Sequence, residues 1–163
     1  MSQVVATAER VVRAPVEQVR AALADYAETR PRILPEQFSD YRVEAGGRGA
    51  GTRVHWKFAA TSKRVREQSV EVTQPVEGTV VETDTNSSMV TTWTVHRADE
   101  ATTTVRVRTV WNGAGGVGGF FERTFAPRGL QRVYLGMLER LEQELTARGT
   151  RRLMRRSQGT MVG

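Results

Sequence analysis

The chain has 163 residues, enough for one domain with a sizeable core, and its 39% hydrophobic and 26% charged content fits a globular protein. No apolar run approaches membrane-spanning length, and the lack of cysteine excludes a disulfide framework and a thiol nucleophile. The net charge of +6 is concentrated in Arg148, Arg151, Arg152, Arg155 and Arg156, so that residues 1–147 carry only about +1, which argues against a broad nucleic-acid-binding face. Met1-Ser2-Gln3-Val4 lacks the basic and apolar regions of a signal peptide, and a cytoplasmic location is the expectation.

Val4–Val12 is rich in β-branched residues and predicts a strand. Ala14-Pro15 ends it, and Pro15 suits a first helical position because its missing N–H would be unpaired there anyway. Val16, Val19, Ala22, Leu23 and Tyr26 recur at helical spacing and predict a helix ending near Glu28. Thr29–Pro35, with two prolines and the apolar pair Ile33-Leu34, reads as a turn and a short second helix.

Tyr41–Glu44 begins the next strand, and Gly46–Gly51 is a glycine-rich turn. Thr52–Ala59 alternates cleanly, with Val54, Trp56 and Phe58 on one face and Arg53, His55 and Lys57 on the other, as in a half-buried antiparallel strand. Further strands are predicted at Arg64–Thr73, Thr79–Asp84, Met89–His96 and Thr102–Trp111. A glycine-rich stretch, Asn112–Gly119, breaks the pattern. It reads equally well as a hinge for the last helix and as a plain reversal from strand to helix. Phe120–Ala147 is then helical in two parts, interrupted at Pro127. Leu130, Val133, Tyr134, Met137, Leu138, Leu141 and Leu145 form its apolar stripe, Gly149 suits the C-cap, and the basic remainder is expected to be mobile.

This order, with Val12–Val19 as a strand-to-helix junction carrying Ala-Pro and Glu44–Thr52 as a glycine-rich loop between strands, resembles the START-like superfamily, also called Bet v 1-like or SRPBCC, in particular a polyketide cyclase/dehydrase-like member. The resemblance covers roughly residues 3–147. It implies an α+β helix-grip fold: a seven-stranded curved antiparallel sheet wrapped around a long C-terminal helix, with two short helices after strand 1. The expected domain is 1–148, followed by a flexible tail over 149–163. The resemblance further implies binding or transport of a hydrophobic small molecule, lipid-like or polyketide/aromatic, in a cavity of several hundred cubic ångströms between sheet and helix. A polyketide cyclase or dehydratase acting in the same cavity is the alternative. Fold membership alone does not choose between them.

Within such a cavity the candidate ligand-binding residues are Trp56, Phe58, Met89, Trp93, Trp111, Phe120, Phe121, Phe125, Leu130, Tyr134 and Met137. Plain core packing is the competing reading for each of them. An enzyme would need polar groups converging on the ligand, and Tyr41, Arg66, Glu67 and Tyr134 are the candidates. His55 and His96 are expected to be exposed, and two histidines without a carboxylate pattern make a poor metal site, so no metal and no cofactor are expected. Nucleic acid is not an expected partner. A weak contact of the C-terminal arginines with an anionic membrane surface stays open beside the solvated-tail reading.

Overall fold

A computed structural model describes residues 3–61, 64–112 and 127–159. The strands are β1 (Gln3–Val12), β2 (Phe38–Ala45), β3 (Arg53–Thr61), β4 (Arg64–Thr73), β5 (Thr79–Asp84), β6 (Val90–Arg97) and β7 (Thr103–Asn112). The helices are α1 (Val16–Ala24), α2 (Thr29–Ile33) and α3 (Pro127–Gly159). Every strand pair is antiparallel, in the order β1-β7-β6-β5-β4-β3-β2. Six strands thus form a meander, and β1 closes onto β7. Register breaks in β2, between Ser39 and Arg42 and again between Val43 and Ala45, add local twist at that edge. The concave face holds α3, which packs against β1 and α2. This is the helix-grip fold.

Strand alternation fixes which residues face the helix. Val105, Val107, Thr109 and Trp111 of β7 are buried, while Arg106 and Arg108 are exposed. On α3 the apolar stripe is buried as its spacing predicts, from Leu130 to Leu145. Val16, Val19, Ala22 and Leu23 bury the inner face of α1.

Besides β2, which begins at Phe38 rather than at Tyr41, two boundaries differ from the sequence expectation. α1 ends at Ala24, because the Asp25 carboxylate accepts hydrogen bonds from the Glu28 and Thr29 amides and from the Thr29 hydroxyl, turning the chain into α2. The glycine-rich loop seals that turn: the Gly47 carbonyl accepts from the Tyr26 and Ala27 amides, and the Gly49 amide donates to the Ala24 carbonyl. At Gly46 (φ 68°) an added Cβ would lie 2.9 Å from the Thr52 Cα, so only glycine fits. The second difference is in α3. Gly149 does not cap it; the helix runs through to Gly159, with 149–159 exposed. One interior glycine costs only about 1 kcal/mol, and the residues that follow are mostly good helix formers. Pro127 stands at the start of α3, where it removes no intrahelical hydrogen bond. The helical segment expected before it lies outside the described residues.

Glu142 ties α3 to the end of β1. Its carboxylate accepts from Arg10 Nη2 at 2.8 Å and from the Arg13 amide at 2.8 Å. The Arg10 hydrogen bond is the main reason its carboxyl is held below the ordinary glutamate value. A depressed folded-state value stabilises the fold above the unfolded value and loses that contribution as pH falls through the folded one. Glu142→Gln is therefore expected to cost about 1 kcal/mol at pH 7, allowing for solvent screening at Arg10, and progressively less as pH falls through the depressed folded-state value. Urea unfolding of the variant and the wild type across a descending pH series checks this.

Candidate functional site

Between sheet and α3 lies a cavity of about 40 Å³. That is room for about three waters, far below the several hundred cubic ångströms expected from the sequence. The difference has a plain cause: the large side chains that were expected to line a hollow also fill most of it. Trp56 and Phe58 come from β3, Trp93 from β6, Met89 from the turn before it, and Leu130, Tyr134 and Met137 from α3; all seven line the cavity. Trp111 is fully buried but is not part of the lining, and its indole N–H has no partner among the described residues. Phe120, Phe121 and Phe125 lie outside the described residues, as does the glycine-rich stretch before them.

Five aromatic side chains form a third of the lining residues. Phe38, at the start of β2, meets Phe58 edge-on at 4.8 Å and Trp56 at 5.9 Å. Tyr134 meets Trp93 edge-on at 6.0 Å. Leu34, directly after α2, closes one side.

The polar part of the lining is a set that sequence reading did not identify. Glu82 of β5 is buried and accepts from three donors: Tyr26 Oη at 2.5 Å, Arg30 Nη1 at 2.7 Å and Trp93 Nε1 at 2.8 Å. Arg30 of α2 is only 2% exposed. It also donates through Nη2 to Tyr26 Oη at 3.2 Å and through Nε to the Leu23 carbonyl at 3.2 Å. Its guanidinium carbon lies 4.5 Å from the Tyr26 ring centroid and 4.7 Å from that of Trp93. Burial, reinforced by the Glu82 carboxylate, pushes the Tyr26 phenol well above its ordinary value despite the opposing Arg30 charge. For Arg30, desolvation is the largest single effect and lowers the value, but the Glu82 carboxylate together with the Tyr26 and Tyr41 phenols more than offsets it, so the guanidinium stays charged.

A second polar group adjoins the first. Gln68 Oε1 accepts from Trp56 Nε1 at 2.7 Å, and Gln68 Nε2 donates to Asp84 Oδ2 at 3.4 Å and Met89 Sδ at 3.3 Å. Asp84 also accepts from Ser87 Oγ and from the Ser69 and Asn86 amides. The hydroxyls of Thr91, Thr109 and Tyr134 bond to one another, and burial pushes the Tyr134 phenol up to about 12.

Two expectations about polar residues are corrected. Of the four proposed catalytic candidates only Tyr134 reaches the cavity. Glu67 is exposed, Arg66 donates to the Asn86 carbonyl, and Tyr41 sits behind Trp56, stacked at 6.3 Å, with its hydroxyl on the Tyr26 carbonyl. His55 points to the outer sheet face as expected but is buried, flanked there by Arg42 of β2 and Ser69 of β4. His96 is exposed. Leu34 lines the cavity, whereas its neighbour Ile33 belongs to the core. Among the described residues no three His, Asp or Glu side chains are grouped to hold a metal, and no helix is long and apolar enough to cross a membrane.

A curved sheet, a gripping helix and an aromatic-walled cavity between them define an SRPBCC, Bet v 1-like protein. The family described as polyketide cyclase / dehydrase and lipid transport matches residues 3–146, and the chain belongs to it. Among solved structures, the KanY protein, determined by NMR, is 44% identical with a TM-score of 0.80, the match covering 90% of this chain and 99% of that one. The Zhui aromatase/cyclase from Streptomyces sp. R1128 shares 13% identity with a TM-score of 0.67, over 90% of this chain and 96% of that one. Norcoclaurine synthase from Thalictrum flavum, in complex with dopamine and hydroxybenzaldehyde, shares 15% identity with a TM-score of 0.64, over 90% and 88% of the two chains. The last two show the fold alone. A comparison with curated protein sequences gave no match.

Proposed function

We propose that this protein binds a small apolar, ring-bearing molecule between sheet and α3, as a binder or carrier. One observation carries the reading: the cavity is walled by Phe38, Trp56, Phe58, Trp93 and Tyr134, while both carboxylates in its lining are engaged by internal donors. Such a site favours ring faces and offers no free base. Three internal donors hold the Glu82 carboxylate and four hold that of Asp84, and the Tyr134 phenol stays protonated at neutral pH. A cyclase or dehydratase in the same cavity is therefore the less supported reading.

The present volume fits a ligand only if side chains yield. Met89 and Met137, unbranched thioethers on opposite walls, can swing at low cost, and Leu130 lies beside them. The expected ligand is thus of one- or two-ring size. Thermal unfolding of the purified protein with and without saturating naphthalene tests this. Binding at 100 times the Kd stabilises by about 2.7 kcal/mol, so a clear rise in Tm is expected. No rise with naphthalene or any other neutral one- or two-ring compound contradicts the proposal.

A further inference from the structure

The hydrogen-bond inventory of the lining leaves one side chain with donors to spare. The indole N–H groups of Trp56 and Trp93 are taken by Gln68 and Glu82. Gln68 directs its amide nitrogen at Asp84 and Met89. The three hydroxyls of Thr91, Thr109 and Tyr134 satisfy one another. Arg30 has five N–H bonds, and its three contacts to Leu23, Glu82 and Tyr26 use three of them. Among the described residues, two guanidinium N–H groups therefore remain uncommitted on a cavity-lining residue that is 2% exposed. Buried donors left unmade are costly, and an incoming acceptor relieves that cost.

We infer that the two uncommitted N–H groups of Arg30 are the polar anchor of the cavity, receiving the carbonyl oxygen of a neutral aromatic ligand. The inference rests on the ligand-binding reading above and names the chemical class bound. The spare groups are donors only, so they select an acceptor. The lining already sets two carboxylates, Glu82 and Asp84, against one guanidinium, so a carboxylate ligand would add like charge in a low-dielectric site. A ligand ammonium would meet the Arg30 charge directly. A ketone or quinone oxygen suits both limits, and its attached ring lies along Trp56, Phe58 and Tyr134.

Three size-matched probes separate these possibilities: acetophenone, α-methylstyrene, in which a CH₂ replaces the carbonyl oxygen, and benzoate. In the full-length protein labelled with ¹⁵N-arginine, acetophenone is expected to move the Arg30 side-chain N–H resonances downfield, and α-methylstyrene is not. The Arg30 signals are identified by their loss in Arg30→Met/Glu82→Gln, a pair of changes that leaves no lone buried charge. In that variant the affinity for acetophenone relative to α-methylstyrene should fall at least tenfold. Should the variant fail to fold, Arg30→Lys supplies the assignment and the wild-type shifts decide. Acetophenone that binds without moving Arg30, or an unchanged affinity ratio, overturns the anchor while leaving the apolar site intact. Tighter binding of benzoate than of acetophenone overturns the neutral class. Failure of acetophenone to bind where naphthalene binds overturns this inference alone, and failure of naphthalene as well as all three probes removes the ligand-binding reading with it.

Discussion

Glu82→Ala is expected to lower folding stability by about 3–5 kcal/mol, because it strands the Arg30 charge in the interior and removes the acceptor for Tyr26 and Trp93 at the same time. Arg30→Met, which leaves Glu82 as the unpaired ion, should cost a similar amount. Arg30→Met combined with Glu82→Gln should lose far less than the two single changes added together. The glutamine oxygen still accepts from one of the two remaining donors, and no ion is left alone. A coupling on the order of 2–3 kcal/mol is the expected size. Urea unfolding of the wild type, both single variants and the pair measures it. Additive losses would mean that Arg30 and Glu82 do not depend on each other, contrary to their 2.7 Å contact.

Trp93→Ala is the second large effect. Trp93 is among the largest fully buried side chains, packs edge-on against Tyr134 and donates to Glu82. Removing it should cost about 3–5 kcal/mol through lost transfer energy and the void left behind. The void opens beside an existing hollow, so the variant should accept two-ring compounds more readily than the wild type. Saturating naphthalene should then restore part of the lost stability, following the usual linkage between ligand concentration and unfolding free energy. Trp93→Phe keeps a ring but leaves Glu82 one donor short, and should lose about 1–3 kcal/mol without that recovery. Calorimetric melting with and without naphthalene separates the two variants.

Much of the frame is legible in the chain because a sheet with one buried face imposes period two. The alternation of Trp56 with Phe58, and of Val105 with Val107, places each strand and its inner side. The same rule could have exposed part of the polar set. Val80, Glu82 and Asp84 share a strand face with an inward valine, and so do Gln68, Val70 and Val72. The adjacent pair Arg66-Glu67 carries no such signal, since one of any adjacent strand pair must face out. Arg30 carried no such signal. It lies in a five-residue helix that itself contains Pro31, too short for a period, and its inward course depends on the Asp25 turn and the Gly47 contact. The cavity volume was equally illegible, because composition gives the side chains but not how closely a curved sheet lets them approach. The end of α3 was misplaced because Gly149 has two roles, helix cap and helix interior, that spacing alone does not separate.

The central claim is that an apolar ring enters between sheet and α3. Methyl NMR with ¹³C-labelled methionine tests it most directly, since Met89 and Met137 line the cavity while Met154 sits exposed on the overhanging end of α3. On titration with α-methylstyrene, the Met89 and Met137 methyls should shift and show contacts to the ligand ring, and Met154 should not move. Unchanged Met89 and Met137 signals at saturating ligand, or ligand contacts confined to the groove formed by Arg20, Val76 and Val80, would contradict the account.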